Sequence, residues 1–570
     1  MKHTQIIGWD SSGKFSGNFG FNRRFRRWHH RAIAPLIAAM LAVASGANVA
    51  SLAAESLTFR LGPWQGSIAI SDLEQYARTG ELPGNLAPLG PFLPAGLQEV
   101  LAQRVEIDPD IGDRALDRLI TSPQGNRFVR AIFLLVPDST IEQIKDAIKL
   151  VATQGNGLSL LGILKALPGD NIVFDATSAI GVASRLNLPY LEGQILRSRL
   201  ESDLEVEETE PFFASFDPAL SGSQMVSQQT LTFRDRQRNR DITAELYFSP
   251  NPQGPLAVLS HGLGSDRFLL NYLSQHLASH GITVVSIEHP DINEASVENL
   301  PVTLDPTNLI PASVFLELPK DISFVLDELA EMNRQPGSLA GKLNTAETVV
   351  IGHSLGGYAA LAVAGGELNL DELRDFCSEG RKLGRSPADL LQCSATELSG
   401  NRISLRDLRI KQVVALNPNI GSLFGEKGLS EIEIPILLVA ASDDAWAPAV
   451  THQLRPFTQL EDPKYLLTAI GGTHFSVTDP DYPSLLERQT ALPDDPTREQ
   501  TENLRQLLRG VTLAFVKQQT PEARTYAPFL SAAYAQSLGT EETALRLNET
   551  LPTRLARWLA TSEAALGRLD

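Results

Sequence analysis

Residues 345–364, Thr-Ala-Glu-Thr-Val-Val-Ile-Gly-His-Ser-Leu-Gly-Gly-Tyr-Ala-Ala-Leu-Ala-Val-Ala, constrain the fold of this chain more than any other stretch. Residues 348–351 are a β-branched run of the kind found in a strand covered on both faces, and from Leu355 onward the segment is rich in Ala and Leu, as a helix should be. Between them stands Gly352-His353-Ser354-Leu355-Gly356. A strand that must become a helix within about two residues drives its apex residue into a strained conformation, and flanking glycines remove the Cβ atoms that would collide there. The apex is Ser354, whose hydroxyl is thereby lifted clear of the sheet edge to where a general base can reach it.

The segments around this unit repeat its order. Residues 230–233 and 241–248 alternate with period two, as antiparallel edge strands do, whereas 256–259 is a continuous apolar run and so a central strand. A helix at 268–279, a strand at 283–287 and a helix at 313–332 follow, then the Ser354 unit, strands at 412–416, 434–440 and 465–470, and a closing helix at 503–515. This alternation predicts an α/β fold, a mostly parallel sheet with helices on both faces, over residues 229–517. An insertion at 366–409 is expected to overhang the carboxyl ends of the strands as a lid or substrate wall. Residues 518–570 are expected as a helical extension.

A chain of 570 residues exceeds one hydrophobic core, so a second domain is expected. Residues 55–168 read as small and mainly helical. Strands at 57–61 and 67–70 flank a Gly-Pro turn, Ser71 and Glu74 form the capping box of a helix running to Gly80, and further helices are expected near 95–104, 110–120, 139–153 and 157–166. No His, Cys or acidic cluster there has metal or catalytic spacing. Residues 169–228 read as a connector, with a solvated acidic run at 201–210 and an aromatic patch at 211–216 that anchors it to the surface.

The formal charge of −18 argues against a nucleic-acid or anionic-membrane footprint and favours neutral, esterified or cationic partners. Against that acidic background, residues 23–31 are rich in Arg and precede an uncharged stretch at 32–54. That order describes a secretory signal over 1–54, with Ser51-Leu52-Ala53 as cleavage site, and hence an exported protein; the alternative is an uncleaved membrane anchor at 32–54. Residues 1–53 carry a net charge of +6, so removing them leaves −24 in place of −18. Two cysteines, Cys377 and Cys393, are too few for a structural zinc site. Either they close a short loop, worth about 3 kcal/mol in the chain-entropy model, or they are buried free thiols.

A serine hydroxyl is a weak nucleophile near neutral pH and needs a histidine within reach and an acid to hold that histidine. In this fold their chain order is serine, acid, histidine. Two histidines follow Ser354. His474 lies in Gly471-Gly-Thr-His-Phe-Ser476 directly after the last strand, which puts it at the sheet's carboxyl edge, whereas His452 falls on a helix without an obvious partner. The acid should leave the strand at 434–440 in Ala441-Ser-Asp-Asp-Ala-Trp-Ala-Pro448; Asp444 is the expected orienting acid and Asp443 a turn cap. Oxyanion donors, each worth roughly 3–4 kcal/mol of barrier, are expected from the N–H of Leu355, at the positive end of the helix, and of Leu263 in Ser260-His-Gly-Leu-Gly264. His261 then structures that loop.

Residues 258–264 (Val-Leu-Ser-His-Gly-Leu-Gly), 278–291 (Ala-Ser-His-Gly-Ile-Thr-Val-Val-Ser-Ile-Glu-His-Pro-Asp) and 352–357 (Gly-His-Ser-Leu-Gly-Gly) resemble the platelet-activating-factor acetylhydrolase branch of the α/β-hydrolases, over residues 229–517. Residues 59–63, 70–74 and 79–81 resemble the uncharacterised domain that precedes such hydrolase domains in bacterial proteins. The resemblance implies a serine esterase that cleaves short acyl esters of phospholipid-like or other lipophilic substrates, with transient lipid contact, and without metal or cofactor. One position departs from it. That branch carries its acid after the strand next to the nucleophile's, where this chain has Ala415-Leu-Asn417; an amide cannot stabilise an imidazolium by charge, so the acid must have moved one strand on, as in polyester hydrolases and many lipases. Cleavage of polyester, thioester or peptide bonds by the same triad, or a binding protein on a hydrolase scaffold, remain the alternatives.

Overall fold

The computed structural model describes most of residues 54–566; residues 1–53, 85–96, 105–116, 122–128, 176–196, 207–211, 299–309, 379–384, 491–495 and 567–570 lie outside it, with short gaps within 62–156 and at 198. The secretory or anchoring segment and most of the helix expected at 110–120 therefore fall outside the described residues. No described helix is long and apolar enough to cross a membrane.

Strands β1 (Ser56–Leu61) and β2 (Trp64–Ala69) form the expected hairpin. The helix after it differs from expectation. It begins at Ile70 without a side-chain cap, because β2 runs straight into it and the Ile70 N–H is satisfied by the Glu55 carbonyl at 3.0 Å. Glu74 instead pairs with Lys165 at 2.9 Å. The boundary at 168 is corrected as well: β3 (Asn171–Asp175), assigned above to the connector, pairs parallel to the free edge of β1 and buries Ile172, so the first unit reaches residue 175. Helices Ile141–Thr153 and Leu160–Ala166 cover this small sheet through Ile144, Ile148, Ile163 and Leu164.

The main sheet has nine strands: β4 (Ser227–Asp235), β5 (Arg240–Phe248), β6 (Leu256–Ser260), β7 (Val284–Glu288), β8 (Thr348–His353), β11 (Ile410–Leu416), β12 (Ile436–Ala441), β13 (Lys464–Ile470) and β14 (Ala544–Asn548). The insertion contributes a separate pair, β9 (Glu367–Asn369) with β10 (Arg402–Ser404). The sheet order is β14-β13-β12-β11-β8-β6-β7-β5-β4; β13 through β7 run parallel, and antiparallel strands close both edges. The tail past 518 is thus not only helical: Leu545 and Leu547 of β14 bury against the sheet and cover the edge that β13 would otherwise leave open.

Central strands read as unbroken apolar runs because both faces are covered. Along β8, Val350 packs with helices Val314–Arg334 and Leu355–Ala364, while Val349 and Ile351 face the other layer with helices Asn271–Ser279 and Glu502–Lys517. The connector also departs from a solvated linker. Leu200 and Leu204 are buried in the hydrolase core, whereas the aromatic patch anchors the connector in line with its reading above, Phe212 and Phe216 packing edge-on against Phe529 at 5.8 and 5.0 Å between centroids.

Candidate active site

Ser354 follows β8 with φ 56° and ψ −118°, a left-handed conformation that L-residues rarely adopt. The glycines beside it are required by contact. A Cβ on Gly352 would lie 2.1 Å from the Gly356 carbonyl oxygen, and one on Gly356 would lie 2.1 Å from that of Ser260. Helix Leu355–Ala364 starts at the next residue, so the Leu355 N–H is one of its unsatisfied N-terminal donors. The loop after β6 passes so close that a Cβ on Gly262 would come within 2.9 Å of the Ser354 Cβ. In that loop the Gly264 N–H bonds the Ile292 carbonyl at 2.8 Å, and among the described residues the Leu263 N–H has no such acceptor.

His474 and Asp444 meet at the carboxyl edge. His474 Nδ1 lies 2.7 Å from Asp444 Oδ2, in the loops after β13 and β12. The other carboxylate oxygen, Oδ1, accepts the N–H groups of Trp446 at 2.9 Å and Ala447 at 2.7 Å, which leaves the carboxylate fully buried and fixed in orientation. A carboxylate only accepts, so Nδ1 carries the proton and Nε2 keeps its lone pair, the tautomer a general base needs. Asp443 is turned away: Ser442 Oγ donates to it at 2.6 Å and Arg197 of the connector lies 3.4 Å from it. His452 is committed elsewhere, 3.0 Å from the buried Asp389 of helix Pro387–Gln392.

A second Ser-His-Asp set lies beside the loop that follows β6. Ser260 Oγ is 2.8 Å from His289 Nε2, and His289 Nδ1 is 3.1 Å from Asp321, which also receives Arg238 at 2.7 Å and Arg240 at 2.9 Å. By distance alone it qualifies as a triad, but all three side chains are fully buried. Its hydrogen bonds run outward instead. The His289 N–H donates to His261 Nε2 at 2.9 Å, so His261 Nδ1 carries the proton and donates to the Gly262 carbonyl at 2.8 Å. That carbonyl belongs to the peptide whose N–H is Leu263's, so the chain of bonds fixes the donor's direction.

Sequence reasoning gave no role to three residues around His474. Asn417 ends β11 at φ 42°, and its Nδ2 donates to the carbonyls of His474 at 3.0 Å and Thr473 at 3.2 Å; His353 Nε2 donates to the same His474 carbonyl at 2.9 Å. Trp446 stacks on the His474 ring with 6.4 Å between centroids. A polar Asn-Pro-Asn run directly after an apolar strand was the available signal for Asn417, since Asn tolerates left-handed backbone.

Ser354 and His474 line one cavity of about 20 Å³ together with Gly262, Leu263, Leu391 and Trp446. Ala388 and Leu391 place the 366–409 insertion in its wall, and the Cys377–Cys393 disulfide ties that part of the insertion to helix Leu370–Ser378. A space of this size among the described residues holds about one water. Among the described residues no group of His, Cys, Asp and Glu has the arrangement of a metal site.

Burial holds several histidines neutral: it pushes His261 and His276 each down to about 3 and His353 well below its ordinary value. The unfolded chain would protonate these imidazoles near pH 6.5, so their contribution is complete above that pH and is lost as pH falls toward 3. His276 lies on helix Asn271–Ser279, away from the cavity. Replacing it by Leu should flatten the acid limb of stability by about 1.4 kcal/mol per pH unit between roughly pH 6 and 4, read from urea midpoints. An unchanged slope would show that His276 is already protonated in the folded protein.

The nine-stranded sheet and its elbow define an α/β-hydrolase. Two family models match the chain. Residues 53–175 match "alpha/beta hydrolase of unknown function (DUF1400)", a span that ends with β3, and residues 214–300 match "platelet-activating factor acetylhydrolase, isoform II". The fold and the two matches support a hydrolase, similar over residues 214–300 to those acetylhydrolases. The second match takes in β4 to β7 and the loop after β6, and stops before Ser354. No match was found among curated proteins.

Proposed function

We propose that the protein is an exported serine esterase acting on lipophilic, phospholipid-like carboxylic esters. Ser354 Oγ attacks the ester carbonyl while His474 Nε2 takes its proton; Asp444 steadies the imidazolium, and the N–H groups of Leu263 and Leu355 receive the oxyanion. Collapse expels the alcohol, which takes the proton from His474, and water then releases the acid by the same steps. The observation that carries this reading is the 2.7 Å His474–Asp444 bond beside a left-handed serine in one shared cavity. The apolar walls favour a lipophilic substrate, and the Cys377–Cys393 disulfide fits an oxidising compartment.

Treating the protein from its native host with a fluorophosphonate and measuring intact mass tests chemistry and export together. The expected product is one adduct, on Ser354, of a chain beginning near residue 54. An unlabelled Ser354 would favour a binding protein on a hydrolase scaffold, and an intact residue 1 would favour the anchor at 32–54. A panel of p-nitrophenyl esters, thioesters and peptides should show turnover confined to the oxygen esters.

A further inference from the structure

Among the described polar side chains around the cavity, two keep a buried atom without a partner: His353 at Nδ1, whose Nε2 is already engaged, and Asn419 at Oδ1. Asn419 is 1% exposed, its N–H donates to the Ser354 carbonyl at 3.1 Å, and among the described residues its buried side-chain Oδ1 has no partner. It lines the same cavity as Ser354, among Leu263, Ala388, Leu391, Trp446 and Phe475. Pro418 holds it there, since a Cβ on Gly357 of the nucleophile helix would lie 2.8 Å from the Pro418 ring. A buried amide oxygen without a hydrogen bond is disfavoured relative to an apolar side chain of similar volume. Beside Leu263, Ala388, Leu391 and Phe475, that cost is offset if the substrate brings the missing hydrogen bond.

We infer that Asn419 contacts the substrate and selects esters that carry a hydroxyl within a few bonds of the scissile carbonyl. A hydroxyl suits either orientation of the amide, because it donates to Oδ1 and accepts from Nδ2. The hydroxyl can belong to the acyl chain or to the alcohol, as in a partial glyceride. This rests on the serine-esterase reading and narrows its substrate class: a site with a committed polar group discriminates far more strongly than an apolar pocket does against one methylene.

Two matched pairs separate the sources: p-nitrophenyl butyrate against p-nitrophenyl 3-hydroxybutyrate for the acyl side, and propyl butyrate against 2,3-dihydroxypropyl butyrate for the alcohol side. The parent protein should favour the hydroxylated member of one pair by about tenfold or more in kcat/KM, and Asn419→Leu should bring that ratio close to one. Asn419→Ala serves if the Leu variant does not fold, with the rate of fluorophosphonate labelling as the check on the site. A ratio near one in both pairs for the parent, or a preference that survives loss of the amide, overturns the inference; the amide is then satisfied by water alone. Failure of the parent to label at Ser354 overturns the esterase reading itself and is seen independently of either ratio.

Discussion

Ser354→Ala should lower kcat on short p-nitrophenyl esters by about 10⁶-fold while KM and the unfolding midpoint stay close to the parent's. The size of the loss follows from what the hydroxyl does. Without it no acyl-enzyme forms, and the remaining rate is that of water attacking an ester held by the oxyanion donors and the cavity walls. The fold should tolerate the change, because alanine keeps the Cβ that the φ of 56° already accommodates, and the cap of the following helix draws no bond from the hydroxyl. Circular dichroism establishes the fold and single-turnover assays establish the rate. Activity within about tenfold of the parent would remove Ser354 from the reaction and leave the elbow as a structural turn.

The architecture around Ser354 was legible because three local signals agree. The β-branched run at 348–351 fits only a strand buried on both faces, the glycines at 352 and 356 sit where backbone contact forbids a side chain, and the apolar helix follows at once. The pairing of His474 with an aspartate could be read from strand order, and the choice of Asp444 over Asp443 from spacing to Pro448. What could not be read depends on contacts between segments far apart in the chain. Whether Asn171–Asp175 is connector or strand is decided by the free edge of β1, more than 100 residues earlier, and Ala544–Asn548 becomes a strand because β13 offers an edge. The capping box at Ser71 and Glu74 failed for a related reason, since Glu55 supplied the acceptor locally and Lys165 took Glu74.

Asn417 shows how such contacts redistribute chemistry. At the end of β11 it stands next to the elbow, and an acid there would be well placed along the chain to serve His474. Its amide performs the opposite electrostatic task, donating to the carbonyls of Thr473 and His474, while His353 adds a third donor to that loop. The loop is held by its backbone oxygens and the ring is left to Asp444. Position and orientation of the base therefore come from different strands, β11 with β8 for the first and β12 for the second.

That division makes the second large prediction asymmetric. In Asp444→Asn the amide oxygen should keep the N–H groups of Trp446 and Ala447, which otherwise lose their only acceptor in a buried loop, and the NH2 then faces His474 Nδ1. The imidazole must accept there, so its proton moves to Nε2 and it can no longer act as a base; a loss of about 10⁴-fold in kcat is expected, with little change in KM. Placing an acid at the neighbouring strand should not compensate. Asn417→Asp puts a carboxylate against two carbonyl oxygens with no hydrogen to offer, which should shift the His474 loop and cost about 10–100-fold by itself. The double variant Asn417→Asp/Asp444→Asn should be no more active than Asp444→Asn alone. Recovery of more than about tenfold in the double variant would show that a carboxylate at 417 reaches the imidazole, and the separation of loop placement from ring orientation argued from these bonds would fail.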